Sequence, residues 1–308
     1  MDNTFGPHAE VSFEAAPPEK FPWINIALFG ATCLSTLIVG TALMAPFTDR
    51  LDGGSGSFFR DIFQSPSILL SGLPFSVAIM SILFAHEMGH YLTCRYYGIS
   101  ATLPYFIPAP TLVGTMGAFI RIRSPIQHRS ALLDVGIAGP IAGFVLAIPT
   151  LMIGLSLSRF VIVDPKEFGI GFGEPLIFKI GAMLLGKTPP PGMDLYLHPV
   201  GIAAWFGFLA TALNLLPVGQ LDGGHIAYAL FGRFHKRISE GFVFLLIPLG
   251  IFYWQGWLFW TAVLLFVGVR HPMTLDDSIP LKRRHVWLGW FALAMLILCF
   301  TPLPFYFN

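Results

Sequence analysis

A short polar motif, His86-Glu87-Met88-Gly89-His90, interrupts an otherwise apolar stretch of this 308-residue chain. On an α-helix, residues four positions apart share a face, so the imidazoles of His86 and His90 could hold one divalent metal ion. Glu87 would then lie beside the open coordination position, where a carboxylate can take a proton from water. A charged group at the centre of an apolar helix costs about 2.5–3.5 kcal/mol, which marks the motif as a candidate functional site. The residue types and spacing predict metal-assisted hydrolysis.

A hydrolytic zinc site uses three protein ligands and one open position, so a further ligand must come from elsewhere in the chain. The extended pattern HExxHxxGxxH is absent, because Thr93 and Tyr96 stand where it requires Gly and His. Asp222 is the favoured candidate. It follows Pro217, which breaks the end of a later apolar segment on the same side of the bilayer as the motif.

Other acids and one histidine near the membrane stay open as alternatives to Asp222. Asp134 begins a long apolar segment, where the helix dipole favours an acid without any catalytic role. Glu240 has the same interpretation at a later segment. His225 lies three residues after Asp222 and could compete as a ligand or support one.

The composition is that of a membrane protein. Hydrophobic residues make up 55% of the chain and charged residues 11%, whereas a soluble domain carries about 25% charged residues. The mean hydropathy is +0.70. A net charge of +1 gives no reason to expect a nucleic-acid partner, and the three cysteines form no CxxC pair. We therefore expect a lipid bilayer as the surroundings and neither a disulfide framework nor a thiolate metal site.

The apolar segments predict an all-α polytopic membrane protein with about six to seven transmembrane helices, since a span needs about 20 residues. The predicted spans are at about 23–46, 67–97, 131–157, 199–217, 239–255, 257–270 and 286–304. Residues 1–22 are acidic and are predicted to form a disordered tail. Residues 23–305 are predicted to form one integral-membrane domain with its catalytic core at about 67–234.

One region at membrane depth does not fit a helix. Residues 101–124 contain three prolines, and the alternating stretch 118–123 predicts a strand in a small membrane-embedded β-hairpin. The free edge of such a strand could bind an unwound substrate peptide by strand addition. The alternative is that the hairpin only plugs a cavity or packs on its neighbours. Gly139, Pro140 and Gly143, in the third span, are interpreted as packing and kink residues.

The distribution of Lys and Arg predicts the orientation. With the N-terminus in the cytoplasm, twelve of the 18 basic residues fall on the cytoplasmic side and six on the other. The positive-inside rule favours this arrangement. It places the active-site side in the cytoplasm, and we expect a multi-pass protein of a bacterial cytoplasmic membrane.

Two motifs on separate segments carry a family resemblance. HEMGH, together with NLLPVGQLDGG at 214–224, resembles the site-2 protease family of intramembrane zinc metalloproteases. The stretch GTMGAFIRIRSPIQHRSALLDVGIAGPIAGF at 114–144 resembles more narrowly the branch with the chloroplast yellow-green (gravitropism-deficient) proteases and their bacterial counterparts. The resemblance covers roughly residues 75–270, and the chain lacks the inserted peptide-binding domain of many members.

The resemblance implies one Zn²⁺ per chain, with His86, His90 and Asp222 as ligands. It also implies catalytic roles for Glu87, which activates water, and for Asn214. Its implied substrates are membrane proteins or peptides cut within or near a transmembrane segment. Candidate substrate-binding residues are Gly114, Gly117, Ala118, Phe119, Ile120, Asn214 and Pro217. Two other functions stay open: a catalytically retired scaffold or holdase of the same fold, and a metal transporter. Nothing in the sequence predicts the oligomeric state.

Overall fold

The computed structural model describes residues 21–48, 58–162 and 170–307, and these are mostly helical. Most of the predicted tail, 1–22, lies outside the described residues. The described α-helices are α1 (Trp23–Met44), α2 (Phe58–Gln64), α3 (Leu73–Tyr96), α4 (Arg129–Leu157), α5 (Leu176–Leu184), α6 (Pro199–Asn214), α7 (Asp222–Phe231), α8 (His235–Phe252), α9 (Gly256–Val267) and α10 (Arg283–Cys299). The described strands are β1 (Tyr105–Pro108), β2 (Thr115–Phe119), β3 (Arg159–Ile162), β4 (Ile170–Phe172), β5 (Met193–Tyr196) and β6 (Phe305–Phe307).

Each of the seven apolar segments overlaps one of these helices. By length and composition, three helical segments in the described chain can cross a membrane: Trp23–Phe47, Pro66–Tyr96 and Arg129–Leu157. The helices α6 and α9 are apolar but shorter. A mostly helical membrane protein with small sheets is therefore confirmed.

The helix α4 lies at the centre of the packing. In its most apolar window 61% of the residues are buried, against 22% for α1. Its contacts with α3 and α6 are made through glycines: Gly89 lies against the carbonyl of Ala138, and Gly154 lies against Gly201. Small residues let backbones approach closely where lipid supplies no hydrophobic drive for helix association. The HEMGH segment is thus held against the most enclosed of the three long helical segments.

The hairpin β1–β2 lies lengthwise along α1. The Asn25 side-chain amide donates to the carbonyl of Leu103 at 2.9 Å, and the Ser35 hydroxyl donates to the carbonyl of Gly114 at 2.6 Å. Gly114 has φ 77°, and a Cβ there would meet the backbone of Ser35 at 2.7 Å. Only glycine fits this position without strain. The hairpin is therefore a fixed part of the helical framework.

The predicted strand at 118–123 was wrong in its boundaries. The structure has β2 at Thr115–Phe119, where Ala118 pairs with Phe106. Beyond Phe119 the backbone leaves β1, and the N–H of Ile120 interacts with the carboxylate of Glu87. Residues 121–123 pair instead with the segment before β1: the N–H of Thr102 donates to the carbonyl of Arg121 at 3.0 Å, and the N–H of Arg123 donates to the carbonyl of Ser100 at 2.7 Å. One isolated bridge pairs Ala101 with Ile122 further on.

The described molecule has two ends. The site end contains the start of α1, the C-terminal end of α3 and the starts of α4 and α10. The distal end contains the C-terminal end of α1, the helix α5, and two small antiparallel sheets, β3–β5 and β4–β6, which the sequence analysis did not predict. The helices α1 and α3 run in opposite directions, since Thr36 bonds Ser76 at 2.7 Å while Phe29 contacts Phe84.

Candidate metal centre

Three side chains from two distant helices converge inside the molecule. The Nε2 atoms of His86 and His90 are 3.2 Å apart. The Asp222 carboxylate places Oδ2 at 3.2 Å from His86 Nε2 and Oδ1 at 3.3 Å from His90 Nε2. The two histidines are 7% and 6% exposed, and the Asp222 side chain is 14% exposed. Within the described residues this is the group of three that could hold a metal ion.

The helix α7 brings Asp222 to the motif because the chain turns sharply after α6. Gly219 adopts φ 56° in that turn. A Cβ at Gly223 would collide with the carbonyl of Leu215, and one at Gly224 with the carbonyl of Gly219. The two glycines after Asp222 therefore let the start of α7 lie directly on the turn, which aims the carboxylate back at α3.

A backbone carbonyl sets the tautomer of His90. Its Nδ1 lies 2.7 Å from the carbonyl oxygen of Val135 on α4. A carbonyl can only accept, so Nδ1 carries the proton and Nε2 presents a lone pair to His86 and Asp222. Metal-ligating histidines usually have such a partner on the other ring nitrogen.

The donor set fits zinc. The Oδ2 atom of Asp222 is buried without a hydrogen-bond donor, and the His90 nitrogen nearest to the carboxylate has no proton to give. A buried cluster of lone pairs is unfavourable unless a cation lies among them. Two ligand atoms about 2.0–2.1 Å from a tetrahedral zinc ion lie about 3.3–3.4 Å apart, close to the separations observed here. Two imidazoles and a carboxylate also leave a fourth position open.

The two proposed catalytic residues lie beside this cluster. Glu87 is 6% exposed, and its carboxylate interacts with the backbone N–H of Ile120. Asn214 is the last residue of α6, and its side-chain nitrogen is 3.2 Å from Nε2 of His86. A buried carboxylate and a side-chain amide thus lie on the α3 and α6 sides of one small site.

The alternatives for the third ligand have other partners. Asp134 accepts from the Tyr97 hydroxyl at 2.6 Å and from Arg284 at 3.0 Å. Glu240 pairs with Lys236 at 3.4 Å. His225 lies 2.6 Å from Nε2 of His271 through its Nδ1.

The predicted substrate residues lie in different surroundings. Gly117 has φ 98° and open space where a Cβ would be, and Phe119 is 49% exposed. Gly114 instead packs on α1, and Ala118 pairs with β1. The carbonyl of Pro217 accepts from Ser239 at 3.1 Å, so its described contact is with α8. These substrate roles stay predictions.

The sequence analysis did not predict that α4 packs directly against the two histidine rings. A Cβ at Gly139 would overlap the His90 ring, and one at Gly143 would come within 3.3 Å of His86. Both glycines had been interpreted as packing and kink residues. Their spacing of four places them on one helical face, which is a signal the sequence offers but does not by itself connect to the HEMGH motif.

A second histidine cluster lies behind Asp222. The Nδ1 of His271 donates to the carbonyl of Pro272 at 2.5 Å, so its Nε2 accepts the proton of His225. The His271 ring stacks on Tyr228, whose hydroxyl donates to Asp277 at 2.8 Å. Burial lowers the pKa of His271. These contacts hold the segment 268–282 against α7, the helix that carries Asp222.

Comparison with known proteins shows which protein family the chain belongs to. The sequence profile of peptidase family M50 matches residues 74–253, which is more than half of the chain and includes all three converging residues. The chain belongs to this family. The resemblance to site-2 proteases drawn from the two motifs is therefore confirmed.

Curated relatives extend the match beyond that core. The chain is 31% identical to the probable zinc metalloprotease EGY2, chloroplastic, of Arabidopsis thaliana over 93% of its length and 50% of the relative. It is 35% identical to the probable zinc metalloprotease EGY1, chloroplastic, of Arabidopsis thaliana over 53% of its length and 30% of the relative. It is 26% identical to the probable zinc metalloprotease EGY3, chloroplastic, of Oryza sativa subsp. japonica over 96% of its length and 51% of the relative. The chain spans about half the length of EGY2.

Proposed function

We propose that this chain is a zinc metalloendopeptidase that hydrolyses peptide bonds within or near transmembrane segments of membrane proteins. The observation that carries this proposal is the convergence of His86, His90 and Asp222 beside the buried carboxylate of Glu87. The HEMGH motif lies in the apolar segment Pro66–Tyr96, which is long enough to span a bilayer. Membership of family M50 supports the same activity.

The residues of the site divide the chemistry between them. His86, His90 and Asp222 would hold zinc, which when bound supplies a Lewis acid that polarises a carbonyl and acidifies water. Glu87 takes the proton of the attacking water and returns it to the leaving amine. The N–H of Ile120 holds the Glu87 carboxylate in place. The Asn214 amide donates to the oxygen of the scissile peptide as negative charge develops there.

The hairpin supports a role in substrate binding. A helical substrate must unwind before attack, because its peptide groups are engaged in i→i−4 hydrogen bonds. The strand β2 pairs with β1 on one edge and leads directly to Ile120 at Glu87. An unwound peptide added along the hairpin would regain backbone hydrogen bonds and be delivered to the site.

The finer membrane arrangement is also part of the proposal. We infer six to seven spans, formed by α1, α3, α4, α6, α8, α9 and α10 within a single domain at 23–305 whose catalytic core is at about 67–234. The site end faces the side richer in Lys and Arg, which the positive-inside rule makes cytoplasmic. The bacterial cytoplasmic membrane stays a prediction, since the named relatives are chloroplast proteins.

The two other functions are less well supported. A transporter needs polar groups through the whole membrane depth, whereas Glu87 and the buried histidines described here, apart from His198, lie towards the site end. A retired scaffold would have no need to keep Glu87 beside three converging ligands.

The test uses purified full-length protein in detergent with a single-span substrate. Glu87→Gln should abolish cleavage and keep one zinc per chain, because it removes the base and no ligand. Glu240→Gln, a change to an exposed acid on α8, is the matched control and should cleave normally. Normal turnover by Glu87→Gln, or turnover by the wild type after full zinc removal, would contradict the proposal.

A further inference from the structure

A cavity of about 590 Å³ opens at the distal end, away from the metal centre. Much of its wall is apolar and comes from Leu43 on α1, Phe172 on β4 and Phe206 on α6. Leu112, in the turn that joins β1 to β2, also lines it. A pocket of this size with apolar walls and a few polar groups is typical of a ligand-binding site.

Two carboxylates give this cavity a negative charge. Asp194 on β5 and Glu174, just after β4, both line it together with Tyr306 on β6. Burial raises the pKa of the Tyr306 phenol, and the negative charges of Asp194 and Glu174 raise it further. Both carboxylates therefore lie near this phenol. Within the described ranges neither carboxylate makes an ion pair, and the guanidinium of Arg159 lies instead over the Phe47 ring at 5.1 Å.

The hairpin connects this cavity to the metal centre. Its tip contributes Leu112 to the cavity wall, and its other end contributes the Ile120 N–H to Glu87. The Phe29–Phe84 contact places Glu87 level with the first turns of α1. Leu43 lies roughly 17 residues further along α1, and at about 1.5 Å per residue this separates Leu43 from the level of Glu87 by about 25 Å. A peptide lying along β1–β2 would therefore reach from the scissile position to the cavity.

We propose that the cavity binds the distal flank of the substrate's membrane segment and that Asp194 and Glu174 select a flank carrying Lys or Arg. This inference rests on the proposed function and names its substrate class. At about 3.3 Å per extended residue, 25 Å corresponds to about eight residues. At about 1.5 Å per helical residue it corresponds to about 17. We therefore expect the selected Lys or Arg to lie between about eight and 17 residues from the scissile bond.

The charge of the cavity favours this occupant over a lipid. Anionic phospholipid headgroups carry a net negative charge, which two carboxylates repel. A Lys or Arg side chain instead pairs with carboxylates and lays its methylene stem along apolar walls such as Phe172 and Phe206.

The experiment measures cleavage of single-span reporter substrates by the full-length protein in proteoliposomes. The substrates differ only in the distal flank, which carries Lys, Gln or Glu. We expect the wild type to prefer the Lys flank over the Gln flank by about tenfold in kcat/KM at low salt, mainly through KM, from two partly exposed ion pairs. Asp194→Asn combined with Glu174→Gln should remove this preference and leave turnover of the Gln flank unchanged.

A matched control and a charge reversal separate recognition from damage. Asp61→Asn removes an acid from α2 outside the cavity and should keep the preference. Asp194→Lys combined with Glu174→Lys should reverse it, so that the Glu flank becomes the better substrate. Moving the single Lys along the flank should give an optimum between about eight and 17 residues from the cleaved bond.

The outcomes distinguish this inference from the proposed function. Zinc-dependent cleavage that ignores flank charge, or a preference that survives both substitutions, overturns the inference and leaves the protease intact. Absence of cleavage for every substrate, with zinc bound and the protein folded, contradicts the proposed function itself.

Discussion

The site end and the distal end use charged groups in opposite ways. At the site end, His86, His90 and Asp222 are enclosed, and their ligand atoms lie within 3.2–3.3 Å of one another. At the distal end, Asp194 and Glu174 border an open cavity without an ion pair among the described residues. Hydrolysis needs ligand atoms held to a few tenths of an ångström, whereas selection of varied substrates needs charges that remain accessible.

The packing of α4 against the two histidines gives the largest predicted effect on zinc affinity, apart from substitution of the ligands themselves. Gly139→Ala places a methyl group in the space of the His90 ring, so zinc affinity should fall by about 100-fold. The effect of Gly143→Ala should be smaller, because its contact with His86 is 3.3 Å. Gly30→Ala, on α1 with open space around its Cβ position, is the control. Equal zinc affinity in Gly139→Ala and Gly30→Ala would show that the packing of α4 against His90 is not rigid.

The contact between the hairpin and the base gives the next effect. Ile120→Pro removes the N–H that holds Glu87, and a hydrogen bond to a charged group contributes about 1.5–3 kcal/mol. We expect kcat to fall about thirtyfold while bound zinc stays at one per chain. Ile120→Ala keeps the N–H and should stay close to the wild type. If the alanine variant loses as much activity as the proline variant, the side chain and not the amide matters.

The histidine cluster behind Asp222 gives the smallest effect. Because burial lowers the pKa of His271, the folded protein binds fewer protons there than the unfolded chain does. Its contribution to stability is present above a pH of about 6.5 and is lost as the pH falls towards the lowered pKa. The protection of the segment 268–282 against hydrogen exchange, corrected for the intrinsic pH dependence of amide exchange, should therefore fall between pH 7.5 and 5.5.

A substitution at this histidine provides the comparison. His271→Phe keeps the stacking on Tyr228 and removes the titration, so acid should have less effect on exchange in this variant. The same acid sensitivity in both proteins would assign the effect to another group.

The metal cluster and the hairpin differ in how far their sequences predicted them. His86, His90 and Asp222 could be grouped because their side-chain types and helix spacing have few other uses in an apolar segment. Val135 could not be predicted, since its part is played by a backbone carbonyl that any residue has. The end of β2 was missed for a similar reason, because the backbone N–H of Ile120 interacts with a side chain from α3.

The distal cavity was beyond prediction for a different reason. Its wall combines residues from α1, the hairpin tip, β4, β5, α6 and β6, none of which forms a local motif. Asp194 and Glu174 are separated along the chain by α5 and lie next to strands of two different sheets, β3–β5 and β4–β6. Sites built from such long-range contacts leave no spacing signal in the chain.

The central claim is that one zinc ion is bound by two imidazoles and the Asp222 carboxylate. X-ray absorption at the zinc edge, on purified full-length protein, tests it most directly. We expect one zinc per chain with two imidazole nitrogens and a carboxylate oxygen about 2.0–2.2 Å away, and loss of that zinc in Asp222→Ala but not in Asp134→Asn. An unchanged zinc spectrum in Asp222→Ala would contradict the account.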